Sequence, residues 1–298
     1  MKYEFIKEQS YKFSITLMCK LFSVSRSGYY DWLNHNPTNR ELENIKIDKE
    51  ILLIFNDNKS RYGAPRITKV LDKKGFNCSS KKVAKRMSIL NLQAVAKRKF
   101  KVTTDSEHSK PIFDNILNRD FNTTNINQKW AGDITYIPTK EGWLYLAVII
   151  DLHSRAVIGW AMSSKINKLL VCDALLMALF NRKFPKNVII HSDRGSQYCS
   201  NKYRSIIANN NLIGSMSRLG NCWDNAISES FFHTLKVELV HQNNYLTRDE
   251  AKSSIFQYIE AYYNKKRLHS AIDYKTPFEI ECLSKNSHRL VSVKLGLD

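Results

Sequence analysis

The chain predicts an α/β fold, a mixed five-stranded sheet with flanking helices, preceded by a small all-α region. Three observations carry that reading. The apolar period changes near residue 128, from helical spacing to short runs rich in β-branched and aromatic residues. Beyond that point the runs alternate as β-β-β-α-β-α-β-α, an order that builds a sheet covered by helices. With 298 residues, 43% hydrophobic and 11% aromatic, the chain is long enough for two domains with cores of their own.

The first 100 residues read as an α-helical, helix-turn-helix region. Residues 14–33 (SITLMCKLFSVSRSGYYDWL) form helix, turn and helix, with the break near Ser25–Gly28; their pattern serves DNA contact or packing equally well. In RITKVLDKKG, Ile67, Val70 and Leu71 stand at i, i+3, i+4 and Gly75 follows as a stop. In SSKKVAKRMSILN, Ser79 or Ser80 caps a helix whose apolar face is Val83, Met87 and Leu90. Opposite that stripe the spacing places Lys82, Lys85 and Arg86, a row suited to a phosphate backbone and also compatible with a solvated cationic face. Residues 101–127, rich in Asn, Thr and Ser, read as a linker.

The second part, 128–282, reads as a catalytic core, with 283–298 as a tail. Its strands are 130–139, 143–152 and 156–163, joined by short turns as an antiparallel meander. A helix over 166–180, a buried strand over 187–193, a helix at 200–210 and a strand near 213–216 follow. Further helices are expected at 223–241 and 247–265.

Net charge narrows the class of partner. Lys and Arg number 46 against 28 Asp and Glu, a formal +18, and residues 61–101 alone hold 13 basic residues and one acid. A surface of that sign suits a polyanion. The longest apolar run, Trp143 to Ile150, falls far short of a membrane span, and Met1–Ser10 has no signal-peptide core. Six cysteines without a C-x-x-C pair point to neither a disulfide framework nor a zinc site, and to a reduced, cytoplasmic setting, nucleoid-associated if the partner is DNA.

Three acids stand out by position. Asp133 interrupts the first strand, where a buried carboxylate is costly unless paired. Asp193 follows the fourth strand and opens into the crevice at its carboxyl end. Glu229 lies in AISESFFHTLKVELV, off the stripe Ile227, Phe231, Leu235 and Leu239, and shares a polar face with His233 and Lys236. Taken singly, each also reads as a cap, a turn residue or a surface acid. Converging, they would need a cation between them, and hard oxygen ligands favour Mg²⁺ or Mn²⁺. Two such ions drive phosphoryl transfer on nucleic acid. Lys236 would then hold a phosphate of the bound strand.

The runs WAGDITYI (130–137), HSDRGSQY (191–198), SMSRLGNCWDNAISESFFHTLKVE (215–238) and YNKKRLHSAIDYKTPFE (263–279) resemble insertion-sequence transposases of the DDE type. The group is insertion-sequence family three, second-frame OrfB proteins with a retroviral-integrase-like core. Thirty-five residues separate Asp193 from Glu229, and Lys236 is seventh after Glu229, as in that group. RYGAPRITKVL (61–71), which includes Arg66, looks like its helix-turn-helix segment, so the resemblance covers nearly the whole chain. Departures are small: Ile272-Asp273 replaces the usual Leu-Gly, and Leu219 stands where a polar residue is common.

The resemblance implies a ribonuclease-H-like core, two Mg²⁺ (or Mn²⁺) ions, cleavage at element ends and strand transfer of 3′ ends into target DNA. Asp133 and Asp193 would ligate metal, Glu229 would complete the site, and Lys236 would contact terminal DNA. The expected partners are the terminal inverted repeats, target DNA and, because two ends must be joined, further copies of the chain. The chain starts at Met1 and shows no heptad repeat, so an upstream-frame OrfA partner or a frameshift fusion is also expected. Lys265, Lys266 and Arg267 are assigned to phosphate contacts, whereas the aromatics around them read as core. A cut-only ribonuclease-H-fold nuclease and a non-catalytic DNA-binding regulator are the alternatives.

Overall fold

The computed structural model describes residues 1–95, 111–218 and 225–284, and the chain divides into two compact units, Met1–Gln93 and Ala94–Asp298. In the first, α1 (Lys2–Gln9), α2 (Ile15–Leu21) and α3 (Arg26–Leu33) close around Ile6, Met18, Cys19 and Tyr29. The break between α2 and α3 is capped by the Ser25 hydroxyl, which accepts from the Gly28 amide at 2.9 Å.

α4 (Asn39–Asp57) is an addition to the elements read above. It starts in a capping box, Thr38 with Glu41, and buries Ile47, Ile51, Ile54 and Phe55. α5 (Ala64–Lys73) has Pro65 in its first turn, buries Ile67 and Leu71, and is followed by Gly75 at φ 86°. α6 (Ser80–Ile89) is capped by Ser79 and buries Val83 and Met87.

The cationic row on α6 differs from expectation. Arg86 is half-buried, with Nε 2.7 Å from Asp48 Oδ1 and a second guanidinium nitrogen on Oδ2. Lys82 Nζ is 2.8 Å from Glu43 Oε1. Positions 82 and 86 flank the buried positions 83 and 87, so the acids of α4 reach them at the edge of the core. Lys85 remains exposed.

The second unit is built on β1 (Lys129–Thr139), β2 (Gly142–Asp151), β3 (Val157–Ser163), β4 (Ile189–Ser192) and β5 (Ile213–Met216). Their order is β3-β2-β1-β4-β5. β1 pairs antiparallel with β2 and β2 with β3, whereas β4 lies parallel to β1 and β5 to β4. This is the mixed, ribonuclease-H-like sheet. Between the strands and after them come α7 (Lys168–Asn181), α8 (Asn201–Asn209), α9 (Ala226–Glu238) and α10 (Arg248–Gln257). The helix expected over 247–265 stops at Gln257 and widens into a π turn, Tyr258–Tyr263. A last helix, α11, covers 277–284.

Both faces of the sheet are covered, and β2 shows it by alternation. Ala147 and Ile149 enter the core beneath α7 and α8, while Leu144, Leu146, Val148 and Ile150 enter the core beneath α9 and α10. Among the described residues no helix is long and apolar enough to cross a membrane.

Residues 111–127 are more than a linker. Leu117 is 2% exposed and donates its amide to Ser215 Oγ at 3.0 Å. Phe113 lies across β5 so closely that a Cβ on Gly214 would meet its ring at 2.7 Å, so a side chain there would displace the ring. Lys129 Nζ reaches Asp120 at 2.7 Å. The linker residues 96–110, the tail residues 285–298 and Leu219 with the rest of 219–224 lie outside the described residues.

Candidate active site

Sheet register aims the first acid. Asp133 stands opposite Val148, and Val148 faces the α9 side of the sheet, so the Asp133 carboxylate points toward the helix that carries Glu229. One of its oxygens accepts the Ile134 amide at 2.8 Å. Parallel pairing of β1 with β4 ends at Ala131 and His191, two residues short of Asp133 and Asp193. Both acids therefore leave the ladder side by side. Asp193 turns back onto its own loop, where Oδ1 accepts the Gly195 amide at 2.9 Å.

His191 fixes the strand beneath. Its ring is fully buried and hydrogen-bonds Ser215 Oγ at 2.9 Å and Ser217 Oγ at 3.1 Å, clamping β4 to β5.

The electrostatics of the three acids are mutual. Burial pushes the Asp133 carboxyl well above the usual carboxylate range; the neighbouring charge of Asp193 adds to this, and Glu229 adds less. Glu229 stays exposed on the first turn of α9, and burial of its surroundings raises its pKa. Among the described residues no group of three or more His, Cys, Asp or Glu could hold a metal ion as placed. Asp133 and Asp193 are thus the close pair, and Glu229 stands off within reach of their field.

Lys236 is far from the free cation expected. It is 8% exposed, its ammonium lies 4.6 Å from the centroid of the Tyr136 ring, and burial lowers its pKa against the pull of Asp133. Arg267 departs further. It is 5% exposed and grips Glu238 at the end of α9, with Nε at 3.0 Å and a terminal nitrogen at 2.8 Å. Tyr258 donates to the same carboxylate at 2.8 Å. Arg267 is therefore a core ion pair, while Lys265 and Lys266 are exposed. Arg66 packs its guanidinium 5.5 Å from the Tyr62 ring centroid.

Three polar groups near the acids escaped the sequence reading. The Tyr198 hydroxyl, Asn225 Oδ1 and Ser228 Oγ are buried without a hydrogen-bond partner among the described residues. Tyr198 feels the charges of Asp133 and Asp193, the Asn225 amide nitrogen is 3.5 Å from the Gly132 carbonyl, and Ser228 adjoins Glu229. All three sit inside the motif runs HSDRGSQY and NCWDNAISES, so a signal existed. Asp151, by contrast, is structural: it accepts the Asn127 and His153 amides and the Trp130 indole N–H.

The acids and their helix fall within regions matched by known families. Residues 124–222 and 229–282 match the integrase core domain, and residues 41–100 match an HTH-like domain. Transposase InsF for insertion sequence IS3A of Escherichia coli (strain K12) is 47% identical over 283 residues, covering 94% of this chain and 98% of that protein. The insertion element IS600 uncharacterized 31 kDa protein of Shigella sonnei is 42% identical over 260 residues, covering 87% of this chain and 96% of that protein. Among solved structures, the HTLV-2 integrase catalytic core domain in complex with magnesium aligns at 20% identity with a TM-score of 0.40, covering 53% of this chain and 97% of that chain. Identity approaching half, sustained from end to end over an HTH-like domain and an integrase core, leaves one assignment: the chain belongs to the IS3 family of insertion-sequence transposases.

Proposed function

We propose that this protein cleaves DNA at the ends of an insertion sequence and transfers the exposed 3′ ends into target DNA, using divalent metal ions held by Asp133, Asp193 and Glu229. The observation that carries the reading is Asp133: a half-buried carboxylate whose charge is opposed by a second carboxylate beside it. A site of that kind gains from a cation, and an all-oxygen donor set fits Mg²⁺ or Mn²⁺. The chemistry that two bound ions would supply is activation of the attacking hydroxyl and stabilisation of the leaving oxygen.

The chain's own groups do the positioning. The sheet holds Asp133 and Asp193 side by side at fixed backbone amides. α9 carries Glu229 over them and sets Lys236 beside Asp133, where its ammonium meets the phosphate next to the scissile bond. The HTH-like domain, with Arg66 and Lys85, and the exposed Lys265 and Lys266 hold DNA by its phosphates. Two element ends must be joined, so the working form is a homo-oligomer on the terminal inverted repeats and the target. An upstream-frame OrfA product, separate or as a frameshift fusion, would add end recognition. The protein acts where its DNA is, in the cytoplasm at the nucleoid.

The test is substitution of each acid by its amide. Asp133→Asn, Asp193→Asn and Glu229→Gln are each expected to abolish Mg²⁺-dependent cleavage of a terminal-repeat duplex while leaving its binding, read by gel shift, intact. Cleavage retained by any of them refutes the assignment of that residue. Joining of a pre-cleaved 3′ end to a second duplex distinguishes a transposase from a nuclease that only cuts, and cleavage itself excludes a non-catalytic regulator.

A further inference from the structure

The β1–β2 hairpin ends in two aromatic side chains that neither core takes up. Tyr136 is 38% and Trp143 49% exposed, although their neighbours Ile137 and Leu144 are completely buried. Tyr136 pairs with Tyr145 and Trp143 with Pro138, so the two rings lie diagonally on one face of the hairpin. Their centroids are 5.0 Å apart and their planes cross at 82°.

This tip is tied down. Arg248 donates from Nε to the Trp143 carbonyl at 3.1 Å, from a terminal nitrogen to the Glu141 carbonyl at 2.7 Å, and from its amide to the Glu141 carboxylate at 2.8 Å. The Lys140 amide donates to the Tyr245 carbonyl at 3.0 Å. An aromatic pair held this way is preorganised and loses little freedom when something stacks on it.

Its place is as informative as its rigidity. Tyr136 follows Asp133 by three residues, so alternation sets it on the opposite face of β1, the face of its partner Tyr145, at roughly 10 Å along the strand, about the rise of three stacked nucleotides. Lys236 joins the two, with its ammonium 4.6 Å from the Tyr136 centroid and its charge felt by Asp133. Lys236 on the Tyr136 ring, exposed Lys140 in the turn and Arg248 beneath it surround the pair, against one exposed acid of the same turn, Glu141. Apolar rings with three cations at hand and one acid fit a base and its phosphate better than they fit another protein's apolar face. Inside a duplex both faces of a base are already stacked, so only an unpaired base can use an exposed ring.

We propose that Tyr136 and Trp143 form a stacking platform for an unpaired nucleobase of the element end, within about three nucleotides of the scissile phosphate. The proposal rests on the DNA-end cleavage proposed above. The platform holds the end open beside the carboxylates, and because every base has a π face it is tolerant of sequence.

The test uses the full chain and two terminal-repeat duplexes, one fully paired and one with three mismatched pairs at the cleavage position, each carrying 2-aminopurine beside the scissile phosphate. The wild-type protein is expected to bind the mismatched duplex more tightly and to quench the probe. Trp143→Ala should lose about tenfold in affinity for the mismatched duplex, lose the quench, and bind the paired duplex as the wild type does. Trp143→Phe should keep both properties. Trp143→Leu keeps apolar bulk without a ring and should behave as the alanine variant, which covers the case where alanine fails to fold. Equal loss on both duplexes, or no loss on either, overturns the platform. So does a change in oligomeric state with DNA binding unaltered, which would give the rings to a protein contact. Asp133→Asn should retain the quench while losing cleavage. If the wild type cleaves neither duplex with Mg²⁺, the cleavage reading fails; if it cleaves and Trp143→Ala matches it throughout, the platform alone fails.

Discussion

Asp133 is a single side chain whose surroundings oppose its charge, and that opposition has a measurable sign. Burial first, and then the Asp193 charge, hold its carboxyl well above its ordinary 3.8. The folded state therefore binds the proton more tightly than the unfolded state. The stability this contributes is fully present below 3.8 and is lost as pH rises through the raised folded-state value. Glu229, also raised by burial, acts in the same sense. Without divalent ions, Asp133→Asn is expected to raise Tm at pH 8, by about 2–4 °C for each kcal/mol of relieved charge burial. The difference should close as pH falls toward 4. Adding Mg²⁺ should raise Tm of the wild type and leave the variant nearly unchanged. A lower Tm for the variant at pH 8 contradicts the account. At this scale much was legible: an Asp inside a strand, an Asp at a strand end and a Glu off an apolar stripe are visible without coordinates. The burial of Lys236 against Tyr136 was not, and for Tyr198, Asn225 and Ser228 the motif runs mark the residues but not the burial of their polar atoms, because burial depends on which surfaces meet.

At the scale of elements, α9 shows how the same limit misleads. Its course and its Glu229-to-Lys236 spacing follow from the sequence, and its apolar stripe packs where the spacing says. Its far end is held by a partner that looked like surface charge. In NKKR, Lys265 and Lys266 are exposed, and the third cation, Arg267, is buried against Glu238. The π turn at Tyr258–Tyr263 brings this about, shifting the register after α10 so that Tyr258 and Arg267 converge on the Glu238 carboxylate. Leaving one charge of such a pair buried alone costs about 3–5 kcal/mol, whereas replacing both by apolar groups is often neutral. Arg267→Ala should therefore destabilise the core by roughly that amount in denaturant unfolding. The double change Glu238→Leu with Arg267→Met should recover most of the loss. If Arg267→Ala instead leaves unfolding unchanged and weakens DNA binding, the phosphate-contact assignment stands after all. α4 illustrates the converse, since its capping box and its Ile47, Ile51, Ile54 spacing are plain in the sequence.

Over the whole molecule, the +18 net charge identifies a polyanion partner but overstates how many cations are available to it. The 61–101 segment holds 13 basic residues, yet α4 takes three of them: Asp48 engages Arg86 at both oxygens, Glu43 engages Lys82 and Glu50 engages Lys74. A cation already matched by a carboxylate releases few counterions when DNA arrives, while an exposed one contributes about 0.9 to the slope of log K against log salt. Lys85 and Arg86, adjacent in sequence, should therefore respond in opposite ways. Lys85→Ala is expected to flatten the salt dependence of terminal-repeat binding by about one unit with Tm unchanged. Arg86→Ala should leave the slope nearly as it was and lower Tm, because Asp48 loses its partner at the edge of the helical core. Fluorescence anisotropy of the full chain on labelled duplex across a salt series, with thermal unfolding of the same samples, reads both quantities. Equal slope changes in the two variants would mean that DNA displaces Asp48 from Arg86, and α6 would then present both cations to the backbone.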